Sequence, residues 1–394
     1  MSSTTSAGWA LAMGLMFAAP AAAQVRTIRL TNPDLTVAEA FSMLQGLREM
    51  PDGRLLLADP LGQAFIRLDP RTGRADTLGR VGAGPAEYSQ PDGLFALPGD
   101  STLLVDLGNT RLTTIGPDGG FGPTMPIAQG DPSGPGLGGM MLVLPQGTDR
   151  QGRIYFQASG FGGPRGPPDS VKVIRFDRAT SRFDTVATLK AQEFSQSTRG
   201  GPNNQNVLIQ PVPFSPRDGW AAAQDGSIGV VRTNGYYVEW IQPDGQVTRG
   251  PQVAFEPVRI RAADRKEWAD QRSGGLRIAM EINNGRMSMG RGGGGGRGGG
   301  GNEDGLDNLP WPEVKPPFNP AGVRADPNGN LWVERSVPAG QPRTYDVFDA
   351  AGALTVQVIL PQGRAVVGYG KNTVYVVWRD EFDLQYLERY RIET

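Results

Sequence analysis

Alternating or apolar runs of residues recur along the chain, and each follows a tight turn that contains glycine or asparagine. These two residues tolerate the positive φ of a hairpin turn, and the β-branched and aromatic residues that follow favour strands. The six members of this first series are PDGRLLLAD (51–59), PGDSTLLVD (98–106), RQGRIYFQA (150–158), QDGSIGVVR (224–232), PNGNLWVER (327–335) and YGKNTVYVVW (369–378). The pattern predicts six repeats of a turn and a β-strand.

Each repeat contains further strand-like segments on both sides of the first series. An alternating segment follows each member, and a third segment follows in five of the six repeats. A short strand also precedes each turn, as GLREM, GLFALP, MMLVLP, GWAAAQ, GVRAD and AVVGY. Four strands in each of six repeats predict an all-β fold, a six-bladed β-propeller with four-stranded blades. The alternative, a β-sandwich or two small β-domains, fits six in-phase repeats poorly.

The sixth repeat reaches Thr394 before a last outer strand can form. A strand-like segment without a repeat of its own, VRTIRL (25–30), lies near the other end of the chain. Because unpaired sheet edges promote aggregation, we expect this N-terminal strand to complete the sixth blade and close the ring.

One repeat carries a recognisable pattern of aromatic, turn and polar residues. Its positions are Tyr88, Pro91, Gly93, Asp106, Asn109, Arg111 and Gly119. This stretch resembles an NHL-type propeller repeat, and GRVGAGPAEYSQP (79–91) resembles a G-x-G-P-G-E-aromatic signature of exported bacterial six-bladed propellers, with Ala86 in place of the last glycine. The resemblance implies a propeller fold, an exported location and a binding or scaffold role. Similar propellers also include metal-dependent hydrolases and lactonases, and fold alone does not select among these functions.

The composition excludes several classes of chemistry. The chain has 39 Lys and Arg against 40 Asp and Glu, with no His and no Cys. Without these two residues there is no Ser-His-Asp triad, no Cys nucleophile, no disulfide and no His-bound metal. Balanced charge also argues against nucleic acid as a partner.

The first 23 residues are typical of a signal peptide. An apolar stretch, GWALAMGLMFAAP, precedes small residues at Ala21 and Ala23, which suit cleavage before Gln24. The segment from Met1 to Gly8 departs from the pattern, because it contains no Lys or Arg. A buried N-terminal helix or a membrane anchor is the alternative, although the run is short for a membrane span. We expect a periplasmic or secreted protein whose mature chain, a monomer, has no membrane span.

An insertion interrupts the repeats between the fourth and fifth blades. Blades 1–4 are predicted within 24–284, with a short helical insertion at 261–284, and blades 5–6 within 306–394. The Gly/Arg-rich segment 285–305 cannot bury enough apolar surface to offset the entropy of ordering, so we expect a disordered linker.

The channel of a propeller is lined by the innermost strand of each blade, which locates the candidate ligand-binding residues. Gln45, Asp92, Asp218 and Ala321 are expected at the channel entrance, and Arg48 and Arg324 within the strands. Such a set forms either a polar pocket for an anionic or sugar-like ligand or a salt-bridged lining. The stretch VGAGPAEYSQP (81–91) lacks the spacing of a phosphate loop. It is predicted to join two blades, with Glu87 accepting backbone N–H bonds and remaining a further ligand-binding candidate.

Two functions follow from these residues. The first is a non-catalytic exported propeller that presents one face to a protein, peptide or glycan and needs no cofactor. The second is a metal-assisted hydrolase or lactonase with a Ca²⁺-type oxygen site, for which Asp92 and Asp218 are weak candidate ligands. Without His, an enzyme would need a carboxylate base whose pKa is raised by burial.

Overall fold

The computed structural model describes residues 25–130, 140–158, 168–199, 206–274, 277–283, 286–292 and 309–392. These residues form a six-bladed β-propeller, as the repeats predict. The signal peptide predicted at 1–23 lies outside the described residues. Within the described part of the chain, no helix is long and apolar enough to cross a membrane.

Each blade is an antiparallel sheet whose strands follow one another from the channel outwards. From the inner to the outer strand, blade 1 has Gly46–Glu49, Leu55–Asp59, Ala64–Asp69 and Arg74–Thr77; blade 2 has Pro91–Ala96, Thr102–Asp106, Arg111–Ile115 and Phe121–Pro126; blade 3 has Gly147–Thr148, Ile154–Gln157, Ser170–Asp177 and Arg182–Lys190.

The remaining blades follow the same order. Blade 4 has Gly219–Ala222, Ile228–Arg232, Tyr237–Ile241 and Val247–Arg249; blade 5 has Phe318–Ala325, Leu331–Arg335, Thr344–Phe348 and Leu354–Ile359; blade 6 has Ala365–Gly370, Thr373–Arg379 and Gln385–Arg391. The second strand of every blade coincides with a member of the first repeat series.

The hydrophobic core lies between the blades rather than at the centre of the molecule. Six clusters of buried residues each join two neighbouring blades, including blades 6 and 1. Leu56 of blade 1 faces blade 2, for example, whereas Leu55 and Leu57 face blade 6. Alternation along each second strand therefore buries both faces of the sheet, which explains why these strands read as continuous apolar runs.

Ring closure uses a different N-terminal segment from the one predicted. Leu35–Thr36, not residues 25–30, supplies the outer strand of blade 6, where it pairs antiparallel with Gln385–Arg391. Arg26–Arg29 instead forms a fifth strand of blade 5, parallel to Leu354–Ile359. The loop between these two strands is short enough for one N-terminal segment to cover the outer edges of both blades.

The inner strand of blade 3 also differs from the prediction. The segment MMLVLP (140–145) was expected there, but Met140–Leu142 pairs with Ala128–Gly130, and the inner strand is Gly147–Thr148. Met141 and Leu142 pack against the cluster between blades 2 and 3. These apolar side chains therefore pack outside the blade. The strand pattern alone does not distinguish such a position from one in an inner strand.

The insertion begins with the predicted helix and continues differently. The helix spans Ala262–Gly274, and a two-stranded hairpin follows, formed by Arg277–Asn283 and Arg286–Gly292. The hairpin therefore takes up the end of the segment predicted to be helical, which ran to 284, and the start of the segment predicted to be disordered, which began at 285. Residues 293–305 lie outside the described residues. Asp264 docks the helix, because it forms a buried ion pair with Lys315 at 2.7 Å and accepts the Ala339 N–H.

The stretch 81–91 joins blades 1 and 2, as predicted. Its aromatic residue, Tyr88, is buried against Phe65 and Phe121. Buried Asp106 accepts the N–H groups of Ser89 and Gln90, both at 3.0 Å. Arg80–Val81 and Glu87–Tyr88 pair in parallel across the loop. The loop is therefore held by the same acidic residue that ends the second strand of blade 2.

Candidate functional site

The inner strands surround a central channel with a volume of about 1790 Å³. Four of the five predicted ligand-binding residues line it, namely Arg48, Asp92, Asp218 and Arg324. The predicted entrance residues Gln45 and Ala321 line it as well. All six inner strands run from the entrance towards the turns that lead into the second strands. Asp92 and Asp218 therefore lie near one end of the channel, and Arg48 and Arg324 nearer the other.

Glu87, the fifth candidate, lies outside the channel in the joint between blades 1 and 2. Its carboxylate accepts the Gly84 N–H at 2.6 Å, which confirms the predicted backbone contact, and pairs with Arg80 at 2.7 Å. The Gly84 N–H, followed by Arg80, lowers the pKa of Glu87. Its carbonyl also accepts a bond from Arg111 at 2.7 Å. These contacts place Glu87 in the loop, outside the channel.

Asp218 is occupied by neighbouring protein groups. Its carboxylate pairs with Arg232 at 2.9 Å and accepts the N–H groups of Lys190 at 2.9 Å and Thr233 at 3.1 Å. The side chain is 7% exposed. Asp218 thus ties the outer strand of blade 3 to the end of the second strand of blade 4 and to the turn that follows it.

Asp92 is buried at the start of the inner strand of blade 2. Its carbonyl lies so close to Gly46 of blade 1 that a Cβ at Gly46 would meet it at 2.5 Å. This close approach explains the glycine at that position. Among the described residues, no group of three acidic side chains lies close enough to hold a metal ion.

Other acidic side chains of the channel are also engaged. Asp149 pairs with Arg153 at 2.6 Å, and Glu334 with Arg343 at 2.5 Å. Glu49 accepts the Tyr375 hydroxyl at 2.8 Å. These contacts leave few carboxylates to neutralise the basic residues of the channel.

Arg48 and Arg324 hold the same position in two different blades. Each pairs with the second residue of its blade's second strand, Leu56 for Arg48 and Trp332 for Arg324. The equivalent residues of blades 2, 3 and 4, by the same pairing, are Phe95, Gly147 and Ala221. In blade 6 the equivalent is Gly368, since its partner Tyr375 faces the next blade as Leu56 does.

This level of the channel is strongly asymmetric as a result. Two arginines flank the glycine of blade 6, while blades 3 and 4 contribute only Gly147 and Ala221. A Cβ at Gly147 would meet Ala222 at 2.9 Å, so this glycine allows blades 3 and 4 to pack closely. A ligand at this level would therefore meet charged side chains from blades 1 and 5 and none from blades 3 and 4.

The two arginines are anchored through one nitrogen each. The Arg324 Nη1 donates to the carbonyls of Ala321 and Val323, both at 2.8 Å. The Arg48 Nη1 donates to the Ser101 carbonyl and the Thr102 hydroxyl. Within the described part of the chain, the Nε and Nη2 atoms of both side chains make no hydrogen bond, and neither side chain forms an ion pair.

The free Nε–Nη2 edge is the one that forms two parallel hydrogen bonds to a carboxylate or phosphate. Burial lowers the pKa of Arg48, and nearby Asp100 partly offsets that effect. Arginine nevertheless stays protonated in proteins, so both groups present fixed positive charge to the channel.

A third arginine of the channel, Arg217, escaped the sequence analysis. It precedes Asp218, is partly buried, and makes no hydrogen bond or ion pair with any residue that the structure describes. Burial lowers its pKa, and no neighbouring acidic group opposes this effect. The only available signal was its place beside a predicted entrance residue.

Tyr369 adds an unsatisfied polar group near Arg324. Tyr369 is part of the channel wall, and its ring packs against Trp332 in the cluster between blades 5 and 6, with 4.9 Å between ring centroids. Its hydroxyl is buried without a hydrogen-bond partner among the described residues. Burial raises the pKa of Tyr369 well above its usual value, so the group remains a neutral donor.

Comparisons with known proteins bear on the fold. No protein-family model matches the chain, and no curated protein matches it in sequence. It is similar to a protein from Bacteroides fragilis described as exported, at 12% identity and a TM-score of 0.46, over 93% of this chain and 99% of that one. A member of the DUF4221 family from Bacteroides vulgatus is similar at 8% identity and a TM-score of 0.46, over 91% and 96%.

An enzyme is also among the similar structures. A gluconolactonase from Xanthomonas campestris aligns at 14% identity and a TM-score of 0.41, over 90% of this chain and 88% of that one. At these identities, and at TM-scores below 0.5, no property of these proteins is carried over to this chain.

Proposed function

We propose that this protein is an exported, non-catalytic binding propeller that holds an anionic ligand in its central channel. The proposal rests on three arginines that line the channel without an ion pair to a described carboxylate, namely Arg48, Arg217 and Arg324. Removing a guanidinium from water is unfavourable unless a partner compensates for the lost hydration. An anionic ligand would supply that partner.

Two of the arginines are already held in position, which lowers the entropic cost of binding a ligand. Arg48 and Arg324 are held by backbone carbonyls, so fewer side-chain rotamers are lost when a ligand binds. The bound anion would exchange its water contacts for charge-assisted hydrogen bonds, which are roughly twice as strong as neutral ones.

Titration calorimetry with inorganic tripolyphosphate and with citrate tests the proposal. We expect binding that weakens as salt is added, since exposed charges are screened within about 8–10 Å at 0.1–0.15 M salt. Arg217→Met and Arg324→Met should each weaken it about tenfold or more, given the strength of hydrogen bonds to charged groups. Arg71→Met is the matched control, because the Arg71 side chain is 78% exposed and lies outside the channel.

Two results would overturn the proposal. One is the absence of binding by either anion, or equal binding by the wild type and the two channel variants. The other is a stoichiometric divalent ion in protein purified without chelator, lost in an Asp92→Ala/Asp218→Ala variant and accompanied by lactone turnover. That second result would support the metal-assisted lactonase instead.

The export component of the proposal rests on the apolar leader and the small residues at Ala21 and Ala23. Mass spectrometry of a periplasmic or secreted fraction should find a mature N-terminus at Gln24. An intact Met1 on protein confined to the cytoplasm would refute export.

A further inference from the structure

Neutral hydrogen-bonding side chains line the channel beside the charged ones. Six glutamines line it, and the side-chain oxygen of Gln385 accepts the Leu44 N–H at 2.7 Å. The other five side chains make no hydrogen bond to a described residue: Gln45, Gln146, Gln157, Gln192 and Gln224. A primary amide donates two hydrogen bonds and accepts others, which matches a ligand that carries many hydroxyl groups.

Aromatic rings complete this lining. Phe95 lies at the level of Arg48 and Arg324 and is partly exposed to the channel. Tyr369 lies beside Arg324 with its unpartnered hydroxyl. Ligand sites commonly combine such apolar faces with a few placed polar groups. The C–H face of a sugar ring is apolar while its edge carries hydroxyls, so a ring and an amide together suit that shape.

The size of the channel provides the room that a sugar chain needs. With a volume of about 1790 Å³, the channel exceeds the roughly 300–1,000 Å³ of typical small-molecule sites. An extended ligand of several units fits this volume better than a single small anion.

We propose that the ligand is an acidic oligosaccharide, with its carboxylates bound by Arg48 and Arg324 and its hydroxyls bound by the channel glutamines. This inference rests on the proposed anion-binding function and names the class of ligand for the same channel. Each arginine offers its free Nε–Nη2 edge to a carboxylate of the ligand.

The test compares three probes by titration calorimetry: trigalacturonate, neutral maltotriose and inorganic tripolyphosphate. We expect trigalacturonate to bind at least tenfold more tightly than maltotriose. Arg324→Met should remove most of that difference, whereas Arg71→Met should preserve it. A Gln45→Leu/Gln146→Leu variant should lower the preference for trigalacturonate over tripolyphosphate several-fold, because only the sugar uses the amides. Thermal melts of each variant establish that it remains folded.

The possible failures are distinguishable. If tripolyphosphate binds through the arginines but trigalacturonate binds no better than maltotriose, the acidic oligosaccharide is refuted and the anion-binding channel stands. If maltotriose binds as tightly as trigalacturonate, the carboxylate is not recognised and the inference is wrong. If none of the three probes binds, both proposals fail.

Discussion

Arg48 and Arg324 lie at the same position of the inner strands of blades 1 and 5, the two blades on either side of blade 6. They are 276 positions apart in the sequence. Closure of the ring places blades 5, 6 and 1 side by side. The Arg48 guanidinium is anchored on Ser101 and Thr102 of blade 2, and the Arg324 guanidinium on backbone carbonyls of blade 5.

Replacing Arg217 should make the protein more stable and the ligand site weaker. The side chain is partly buried without a described partner, so Arg217→Met should raise the free energy of unfolding by about 1 kcal/mol. Urea denaturation measures this change. The control is Arg232→Met in the same region, which should lower stability because Arg232 pairs with both Asp218 and Glu239. A loss of stability in Arg217→Met equal to that control would contradict the prediction.

The joint between blades 1 and 2 should depend far more on Asp106 than on Glu87. Asp106 is fully buried, accepts the N–H groups of Ser89 and Gln90, and forms an ion pair with Arg111. Asp106→Ala should cost about 3 kcal/mol, because it leaves these donors and a charge without their partner. Glu87→Gln should have only a slight effect on stability and none on anion binding. Equal losses for the two variants in denaturant melts would show that the joint is held differently.

Acid should weaken the contact that closes the ring. The Asp34 carboxylate pairs with Arg389 at 3.0 Å and Arg391 at 2.8 Å. Burial opposes ionisation, but these two arginines prevail and hold the pKa of Asp34 below 3.8. The resulting stability is present above the unfolded pKa and is lost as pH falls through the folded pKa. Asp34→Asn should remove at most about 1 kcal/mol at pH 6 and flatten the decline below pH 4. A decline identical to that of the wild type would refute this role.

Stability should be nearly constant across neutral pH and fall in alkali. The chain has no His, so its charge changes little between about pH 6 and pH 9. Burial, with hydrogen bonds to Glu388, raises the pKa of Tyr390 to about 12, and burial also raises those of Tyr236 and Tyr375. Because the folded pKa values are raised, this contribution is complete below about pH 10 and disappears as the tyrosines ionise. Phenolate absorbance and unfolding should therefore rise together above pH 10; ionisation of most tyrosines without unfolding would contradict this.

Local sequence was sufficient to predict the blades because each second strand can be recognised from its own residues. LLLAD, LLVD and LWVER combine a preceding turn with an apolar run, and both faces of these strands are buried. The joint between blades 1 and 2 could also be predicted, since Tyr88 and Pro91 mark the entry to the inner strand of blade 2. The start of the insertion helix was located to within one residue, but the helix ends at Gly274 and not at the predicted 284.

Errors arose where pairing partners are distant in the sequence. The segments 25–30 and Leu35–Thr36 are both short, and only the position of the last strand decides which one completes blade 6. The metal candidates Asp92 and Asp218 illustrate the same difficulty in the channel. Whether an acidic side chain is free or already paired depends on neighbours such as Arg232, Lys190 and Thr233, which come from other strands.

The sequence by itself determined the strand periodicity, the number of blades, the absence of histidine and cysteine chemistry, and the placing of Arg48 and Arg324 on inner strands. These properties depend on residues close together in the chain, where side-chain alternation and turn chemistry act. The tertiary structure decided which charges remain without a partner, that Arg217 joins the channel, and that Glu87 does not. Partner choice depends on the closed ring, which brings blades from both ends of the chain into contact, and no local pattern carries that information.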